Sequence, residues 1–120
     1  MAKNTTAIGL RAENIAADYM RAHGYKLIVR NDRTRFAELD LVMADREYIV
    51  FVEVKYRAHV NYGGGTGAIT MDKLRRLRNA AETWLADHQE YGSLQPRIDV
   101  ISVRGRLESP HIEHIESITD

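Results

Sequence analysis

The chain has 120 residues, 44% of them hydrophobic and 28% charged, which predicts one folded domain over residues 1–120 with a single core. The absence of cysteine excludes a disulfide framework, a thiolate zinc site and a cysteine nucleophile. Seventeen basic residues balance seventeen acidic ones, so net charge does not draw the chain to nucleic acid, and any phosphate-binding surface must be local.

The sequence gives no sign of a membrane or secretion signal. Its longest uninterrupted apolar stretch, Tyr48–Val52, is far shorter than the roughly 20 residues of a membrane-spanning helix. The first six residues lack the apolar segment of a signal peptide. We therefore expect a cytoplasmic protein with no membrane partner.

The first predicted element is an amphipathic helix. From Ile8 to Met20, apolar residues recur at steps of three and four, which is the spacing of one helix face. Thr5 or Thr6 can cap its start, and Gly24 is a typical stop.

Three strands are predicted to follow the helix. They are Tyr25–Arg30, Leu39–Met43 and Tyr48–Val54, separated by a polar, turn-like segment at Asn31–Phe36 and a tight turn at Asp45–Glu47. Alternation places Leu39, Leu41 and Met43 on one face of the second strand. The third strand is nearly all apolar and rich in β-branched residues, which indicates a central strand covered on both faces.

The second half predicts a helix and a further strand. A glycine-rich loop at Asn61–Gly67 precedes a helix that Thr70 can cap and that ends at His88. A strand follows at Arg97–Val103, and the segment His111–Ile118 fits either a helix or a strand. This order of elements predicts an α/β fold with a mixed central sheet flanked by helices on both faces.

The chemistry is predicted to lie at the end of the central strand. Side chains two residues apart on a strand share a face at about 6.6–6.8 Å spacing, so Glu53, Lys55 and Arg57 continue the row of Phe51. A lone carboxylate buried there would cost several kcal/mol unless it were paired or bound to a metal. Asp40 has the same apolar surroundings one strand earlier, and a hairpin would bring it towards Glu53.

Two carboxylates beside a lysine can form a magnesium site. Mg²⁺ prefers oxygen ligands and usually takes one or two protein carboxylates together with water and phosphate oxygens. The lysine would assist a water molecule or neutralise charge on the phosphate. The alternative is an ordinary salt bridge between Glu53 and Lys55 at the edge of a sheet.

These residues resemble the PD-(D/E)XK nuclease superfamily and, more closely, the YraN-like family of small bacterial nuclease-like proteins. The resemblance extends from about Gly9 to Val103. The motifs that carry it are Gly9-Leu10-Arg11-Ala12-Glu13, Gly24-Tyr25, Asn31-Asp32-Arg33, Glu38-Leu39-Asp40-Leu41-Val42, Val50-Phe51-Val52-Glu53-Val54-Lys55-Tyr56-Arg57 and Arg97-Ile98-Asp99-Val100.

The resemblance implies a restriction-endonuclease-like αβ sandwich and a role for each motif residue. Asp40 and Glu53 become ligands of Mg²⁺ or Mn²⁺, with the backbone carbonyl of Val54 as a third ligand. Lys55 becomes the catalytic lysine, and Glu13 brings a helix carboxylate to the metal. The implied activity is hydrolysis of phosphodiester bonds in DNA, including branched or processed DNA, with homodimer formation common among such enzymes.

Two features of the motifs leave questions open. Glu38, two residues before Asp40, fits either an auxiliary ligand or a salt-bridge partner. The family usually has glycine where this chain has Ala12 and Ala37, and each replacement adds a methyl group where the backbone approaches closely.

The remaining signals are weaker. Arg57, Lys73 and Arg76 are the predicted nucleic-acid contacts, and a solvated helix face is the alternative for the two on the second helix. Asp99 and Arg97 are predicted to form a structural ion pair. On a strand, His111 and His114 would point to opposite faces and could not share a metal.

Two other functions fit the same residues. The neutral charge balance suits a nucleic-acid-binding or assembly module that has kept the fold and lost catalysis. A small-molecule enzyme using the same carboxylates is the third possibility.

Overall fold

The structure, a computed structural model, describes residues 6–58 and 69–118. Within these residues the elements are helix α1 (Ala7–Ala22), strands β1 (Lys26–Arg33), β2 (Glu38–Ala44) and β3 (Tyr48–Arg57), helix α2 (Met71–Asp87), a 3₁₀ turn (Gln89–Tyr91), and strands β4 (Gln95–Arg104) and β5 (His111–Ile115). The glycine-rich loop predicted at Asn61–Gly67 and the alternative cap Thr5 lie outside the described residues.

The strands form one mixed sheet in the order β1-β2-β3-β4-β5. β3 and β4 are parallel over ten residue pairs, and the other neighbouring strands are antiparallel. The hairpin predicted between β2 and β3 is confirmed, with Leu41 opposite Val52 and Ala44 opposite Ile49. The architecture confirms the predicted α/β class and is compatible with a restriction-endonuclease-like sandwich.

Each helix begins at a threonine cap. The hydroxyl of Thr6 accepts a hydrogen bond from the amide of Gly9 at 3.0 Å, and the hydroxyl of Thr70 accepts one from the amide of Lys73 at 3.0 Å. Such bonds satisfy amide groups that have no partner within the helix. Gly24, two residues after α1, has a φ of 94°, a conformation that glycine adopts without strain.

Two hydrophobic layers enclose β3. On one face, Ala12, Ala16, Ala17 and Met20 of α1 pack with Leu41, Met43, Val50 and Val52 of the sheet. On the other face, Leu77, Ala80, Ala81 and Trp84 of α2 pack with Val42, Ile49 and Phe51. This confirms a central strand with a helix on each face, and it puts Glu53, which shares the face of Phe51 by alternation, on the α2 side.

The first hairpin contains an irregularity that the sequence prediction missed. Asn31 has a φ of 51° and lies on β1 between Arg30, opposite Leu41, and Asp32, opposite Leu39. Leu41 belongs to the α1 layer, whereas Leu39 belongs to the α2 layer. The prediction that Leu39 shares a face with Leu41 and Met43 is therefore wrong, because the strand alternation is interrupted at Asp40, opposite Asn31.

Two predicted boundaries also need correction. Asn31–Arg33 continue β1 rather than forming a turn, since they pair with β2, and the turn is confined to Thr34–Ala37. The ambiguous segment at the end is a strand, His111–Ile115, paired with β4. Its register places His111 opposite Arg104 and His114 opposite Ile101, on opposite faces as predicted.

Ala12 and Ala37, at the positions where the family resemblance implies glycine, are both buried, Ala12 in the α1 layer and Ala37 in the α2 layer. Their methyl groups are thus part of the packed core. In the described part of the chain, neither helix is both long enough and apolar enough to cross a membrane.

Candidate functional site

Asp40 lies one residue beyond the last β2–β3 pair, where Leu41 is opposite Val52. Its side chain is buried, and Oδ2 accepts a hydrogen bond from the backbone amide of Val54 at 2.9 Å. The Asp40 carboxylate is therefore held against the peptide that joins Glu53 to Val54.

Glu53 is a buried carboxylate between two lysines. Its Oε2 lies 3.7 Å from Nζ of Lys55, on the same strand, and 3.5 Å from Nζ of Lys73, in the first turn of α2. The Glu53 side chain is only 5% exposed, so these contacts compensate a charge that burial would otherwise disfavour. The pairing of Glu53 with Lys55 that the sequence left as an alternative is present, and it coexists with the proximity of Asp40.

Glu13 is buried on α1 and faces β1. Its Oε1 accepts a hydrogen bond from Nδ2 of Asn31 at 3.0 Å and lies 3.6 Å from Nη2 of Arg30. Asn31 stands opposite Asp40 in the first hairpin. Glu13 thus holds the segment of β1 that lies behind Asp40.

Buried oxygens near Asp40 provide a test of whether a cation suits this region. Both carboxylate oxygens of Glu38 and Oδ1 of Asn31 are buried and accept no hydrogen bond from the described residues. Glu38 precedes Asp40 by two residues, and Asn31 lies across the hairpin from it. Buried acceptors without a protein donor can be satisfied by a cation or by water, so these oxygens are consistent with a divalent ion near Asp40.

A metal at this position would have few protein ligands. Within residues 6–58 and 69–118, no three histidine, aspartate or glutamate side chains are arranged to share one ion. Mg²⁺ needs only one or two carboxylates when water and phosphate oxygens complete its shell. Asp40 and Glu53, with the predicted carbonyl of Val54, are compatible with that requirement, and a direct ligand role for Glu13 stays a prediction.

The neighbouring strand adds polar groups that sequence reasoning missed. Ser102 pairs in register with Lys55 across the parallel β3–β4 ladder and is fully buried. Nη2 of Arg104 donates a hydrogen bond to Glu113 of β5 at 3.0 Å. These side chains lie beside Glu53 and Lys55 because of the register between β3 and β4. That register cannot be predicted from the sequence, since a long connection that contains α2 separates the two strands.

The predicted nucleic-acid contacts differ in their surroundings. Arg57, at the end of β3, is exposed. Arg76 is half exposed and its Nε lies 3.2 Å from Asp72 on the same helix. Lys73 points instead to Glu53, so it belongs to the buried acid and not to the outer helix face.

A second polar cluster lies on the α1 side of the sheet. Arg97 donates two hydrogen bonds to Asp99, at 2.9 and 2.8 Å, and a third to the hydroxyl of Tyr25 at 2.7 Å. Nε2 of His114 lies 2.7 Å from Asp99, and the amide of Ser117 donates to Asp99 at 3.1 Å. The ion pair predicted between Arg97 and Asp99 is confirmed.

This cluster shifts the pKa values of its two charged members. Burial raises the pKa of Asp99, but hydrogen bonds from His114, Arg97 and the Ser117 amide outweigh it, and the net pKa lies below the usual range of the carboxyl group. For Arg97, burial opposes the charged form, yet the bonds to Asp99 and Tyr25 raise its pKa overall. Both groups therefore stay ionised, and the cluster connects β4 and β5 to Tyr25, the residue just before β1.

The fold and site together define a small α/β protein of restriction-endonuclease-like architecture with paired strand acids and an adjacent lysine. Residues 12–103 match the model of the uncharacterised protein family UPF0102, and the chain belongs to this family, the YraN-like family indicated by its motifs.

Bacterial relatives share most of the chain's length. A UPF0102 protein of Mycolicibacterium vanbaalenii is 41% identical over 112 residues, which cover 92% of each chain. One from Geobacter metallireducens is 40% identical over 115 residues, covering 96% of this chain and 93% of that protein. Another, from Beutenbergia cavernae, is 41% identical over 113 residues, covering 93% and 95%.

Proposed function

We propose that this protein is a metal-dependent nuclease that hydrolyses phosphodiester bonds of DNA. The observation that supports this best is the placement of the Asp40 carboxylate on the amide of Val54, next to Glu53 and its partner Lys55. Two buried carboxylates and an ammonium group at one strand end are the groups that Mg²⁺- or Mn²⁺-assisted hydrolysis needs.

Each residue has a role in this proposal. Asp40 and Glu53 would hold the divalent ion, with the carbonyl of Val54 as a further ligand. A divalent ion bound there would supply Lewis-acid polarisation of the phosphate and activation of a water molecule. Lys55 orients the attacking water and stabilises negative charge that develops on the phosphate oxygens.

Glu13 supports the site indirectly, through its contact with β1. Its bond to Asn31 fixes the irregular segment of β1 that faces Asp40. A shift of about 1 Å in a catalytic group can lower a rate by on the order of 100-fold, so such support matters for activity. We assign Glu13 to positioning Asp40 and, through it, the ion.

The proposed substrate is DNA, and branched or processed DNA is the class that the family resemblance suggests. Arg57 and Arg76 supply phosphate contacts around the site, where both side chains are accessible. Such contacts are local, since the chain has no net charge to attract nucleic acid as a whole. A homodimer would let two sites act on paired strands.

The direct test is cleavage of labelled single-stranded, duplex and branched DNA in Mg²⁺ or Mn²⁺. We expect the wild type to cleave at least one of them, and Glu53→Gln and Lys55→Met to lose cleavage by on the order of 100-fold or more. Glu47→Gln and Lys26→Met are matched controls at the opposite end of the hairpin and of the sheet, and should cleave like wild type. Equal cleavage by all variants would identify a contaminating nuclease.

A second candidate is a nucleic-acid-binding or assembly module without catalysis. The two lysines around Glu53 favour it, because they compensate the carboxylate without any metal. Binding of DNA without cleavage, at a strength unaffected by Mg²⁺, Mn²⁺ or Glu53→Gln, would favour this module over the nuclease.

A further inference from the structure

Two ammonium groups share one carboxylate oxygen in the candidate site. Nζ of Lys73 lies 3.5 Å and Nζ of Lys55 3.7 Å from the same Oε2 of Glu53. Both lysine side chains are partly exposed, 29% and 25%, while Glu53 is buried. The buried acid is thus approached by two cations whose stems extend to solvent.

The two lysines reach Glu53 from different supports. Lys55 is two residues from Glu53 on β3, so the strand itself keeps their side chains adjacent. Lys73 comes from α2, and its backbone is fixed by the hydrogen bond from its amide to the Thr70 hydroxyl. Only the flexible side chain of Lys73 has to move for this contact to open.

The other cations in the first turns of α2 are already paired on the helix surface. Asp72 lies 3.1 Å from Nη2 of Arg75 and 3.2 Å from Nε of Arg76. Lys73, by contrast, is directed inwards to Glu53. Lys73 therefore belongs to the acid site. Its neighbours Arg75 and Arg76 provide matched controls for it.

The charge of Glu53 is compensated without a metal ion. Its single carboxylate faces two ammonium groups, those of Lys55 and Lys73. A divalent cation would bring two more positive charges to the same oxygens, so it would be repelled by the ammonium groups. Lys55 is already assigned to the attacking water in the proposed function, so Lys73 is the ammonium group available to leave.

We propose that Lys73 occupies the cation position at Glu53 in the metal-free protein and moves to a phosphate of the nucleic acid when a divalent cation binds. This inference rests on the proposed metal-dependent function and adds a coupling to it. Metal binding releases one ammonium group, and that group makes one further phosphate contact. Metal and nucleic acid then each strengthen the binding of the other, as linkage requires.

The first test measures Mn²⁺ affinity by titration calorimetry without nucleic acid. We expect Lys73→Met to bind Mn²⁺ at least about threefold more tightly than wild type, because a competing cation is removed. Lys73→Arg keeps the charge and should bind more weakly than Lys73→Met. Arg75→Met removes an outer cation and should leave the affinity unchanged, and circular dichroism verifies that each variant is folded.

The second test measures binding of an uncleaved duplex with Ca²⁺ or with chelator, over a range of salt concentrations. In wild type, the slope of log K against log salt should become steeper by about 0.9 when Ca²⁺ is added, which corresponds to one more phosphate contact. In Lys73→Met the two slopes should agree, whereas Arg75→Met should behave like wild type.

The outcomes separate the inference from the proposed function. Binding of Mn²⁺ with equal affinity to wild type and Lys73→Met would overturn the role of Lys73 while leaving a metal site intact. A salt slope that responds to Ca²⁺ equally in both proteins would do the same. Failure of every folded protein to bind Mn²⁺ or Ca²⁺ would overturn the metal-dependent function together with the inference.

Discussion

Asp40 on β2 accepts a hydrogen bond from the backbone amide of Val54 on β3, at 2.9 Å, beyond the last residue pair of that hairpin. The carboxylate therefore takes the place of a backbone acceptor at the point where the two strands stop pairing. One side chain both ties the strands together and brings a charge to Glu53. Substitutions of Asp40 can therefore separate its contribution to stability from its contribution to catalysis.

The first prediction concerns Asp40 itself. In Asp40→Asn the amide oxygen can still accept from Val54, so we expect the free energy of unfolding to change by less than about 1 kcal/mol. Cleavage should nevertheless fall by on the order of 100-fold, because the charge is lost. Asp40→Ala should destabilise by about 1–2 kcal/mol, since the Val54 amide loses its acceptor. Urea unfolding and a cleavage assay measure both effects; normal cleavage by folded Asp40→Asn would contradict the assignment.

The second prediction concerns Glu13. Glu13→Gln can still accept from the Asn31 amide and should leave stability within about 1 kcal/mol of wild type, whereas Glu13→Ala should cost about 1–3 kcal/mol. Because Glu13 is assigned to positioning, Glu13→Gln should retain more cleavage than Asp40→Asn. Initial cleavage rates of the two variants, measured over a series of Mn²⁺ concentrations, provide the comparison. A loss as large as that of Asp40→Asn, with weaker Mn²⁺ binding, would instead place the Glu13 carboxylate on the ion.

The third prediction concerns the buried pair Arg97–Asp99. Asp99→Asn removes the charge that compensates Arg97, and we expect a loss of about 3–5 kcal/mol. The double change Asp99→Leu with Arg97→Met should be less harmful than Asp99→Asn, because neither partner is left as an isolated buried charge. Urea titrations of wild type, Asp99→Asn and the double variant at neutral pH measure this order of stability. A double variant less stable than Asp99→Asn would contradict the prediction.

The same pair predicts how stability depends on pH. The pKa of Asp99 is lower in the folded protein than in the unfolded chain, so the unfolded chain binds a proton first as pH falls. The pair therefore stabilises the fold above about pH 4, and this contribution is lost progressively at lower pH. Unfolding free energies between pH 3 and 7 should fall less steeply in the double variant than in wild type, with exposed Glu90→Gln as control. Parallel curves would show that Asp99 is not responsible.

The fifth prediction concerns Trp84, the single tryptophan of the chain. Its indole nitrogen donates to Oδ2 of Asp32 at 2.9 Å, and its ring stacks on His88 at 3.8 Å between centroids. Trp84→Phe should cost about 1–2 kcal/mol from the lost hydrogen bond and reduced packing, and Trp84→Ala about 3–5 kcal/mol. Thermal unfolding followed by circular dichroism tests the order; a Phe variant as unstable as the Ala variant would contradict it.

Much of the site could be predicted because it depends on short-range patterns. The apolar run Tyr48–Val54 indicates a central strand, alternation puts Glu53 and Lys55 on one face, and the short turn at Asp45–Glu47 implies the hairpin that carries Asp40 towards them. Each inference uses only residues adjacent in the chain or separated by a tight turn. The caps at Thr6 and Thr70 follow from equally local signals.

The rest depends on geometry between distant elements. The left-handed conformation of Asn31 has no obligatory sequence signal, because asparagine occurs in many other conformations, and without it Leu39 is assigned to the wrong layer. The contact between Lys73 and Glu53 depends on how α2 lies across the sheet. The pairing of Ser102 with Lys55 depends on the parallel register of β3 and β4. None of these relationships can be read from spacing alone.

The left-handed residue Asn31 also marks the point where the β1–β2 ribbon passes from the α1 layer to the α2 layer. The outer part packs on α2 through Ala37 and through the hydrogen bond from Trp84 to Asp32, whereas the inner part is held by Glu13 and by the bond from the Val54 amide to Asp40. Residues inserted at the tip would therefore disturb the packing against α2, the helix that also carries Lys73. The ribbon tip and the candidate acids thus share one supporting helix, so a fluorophore or an affinity tag attached at the tip would not be neutral for the acids.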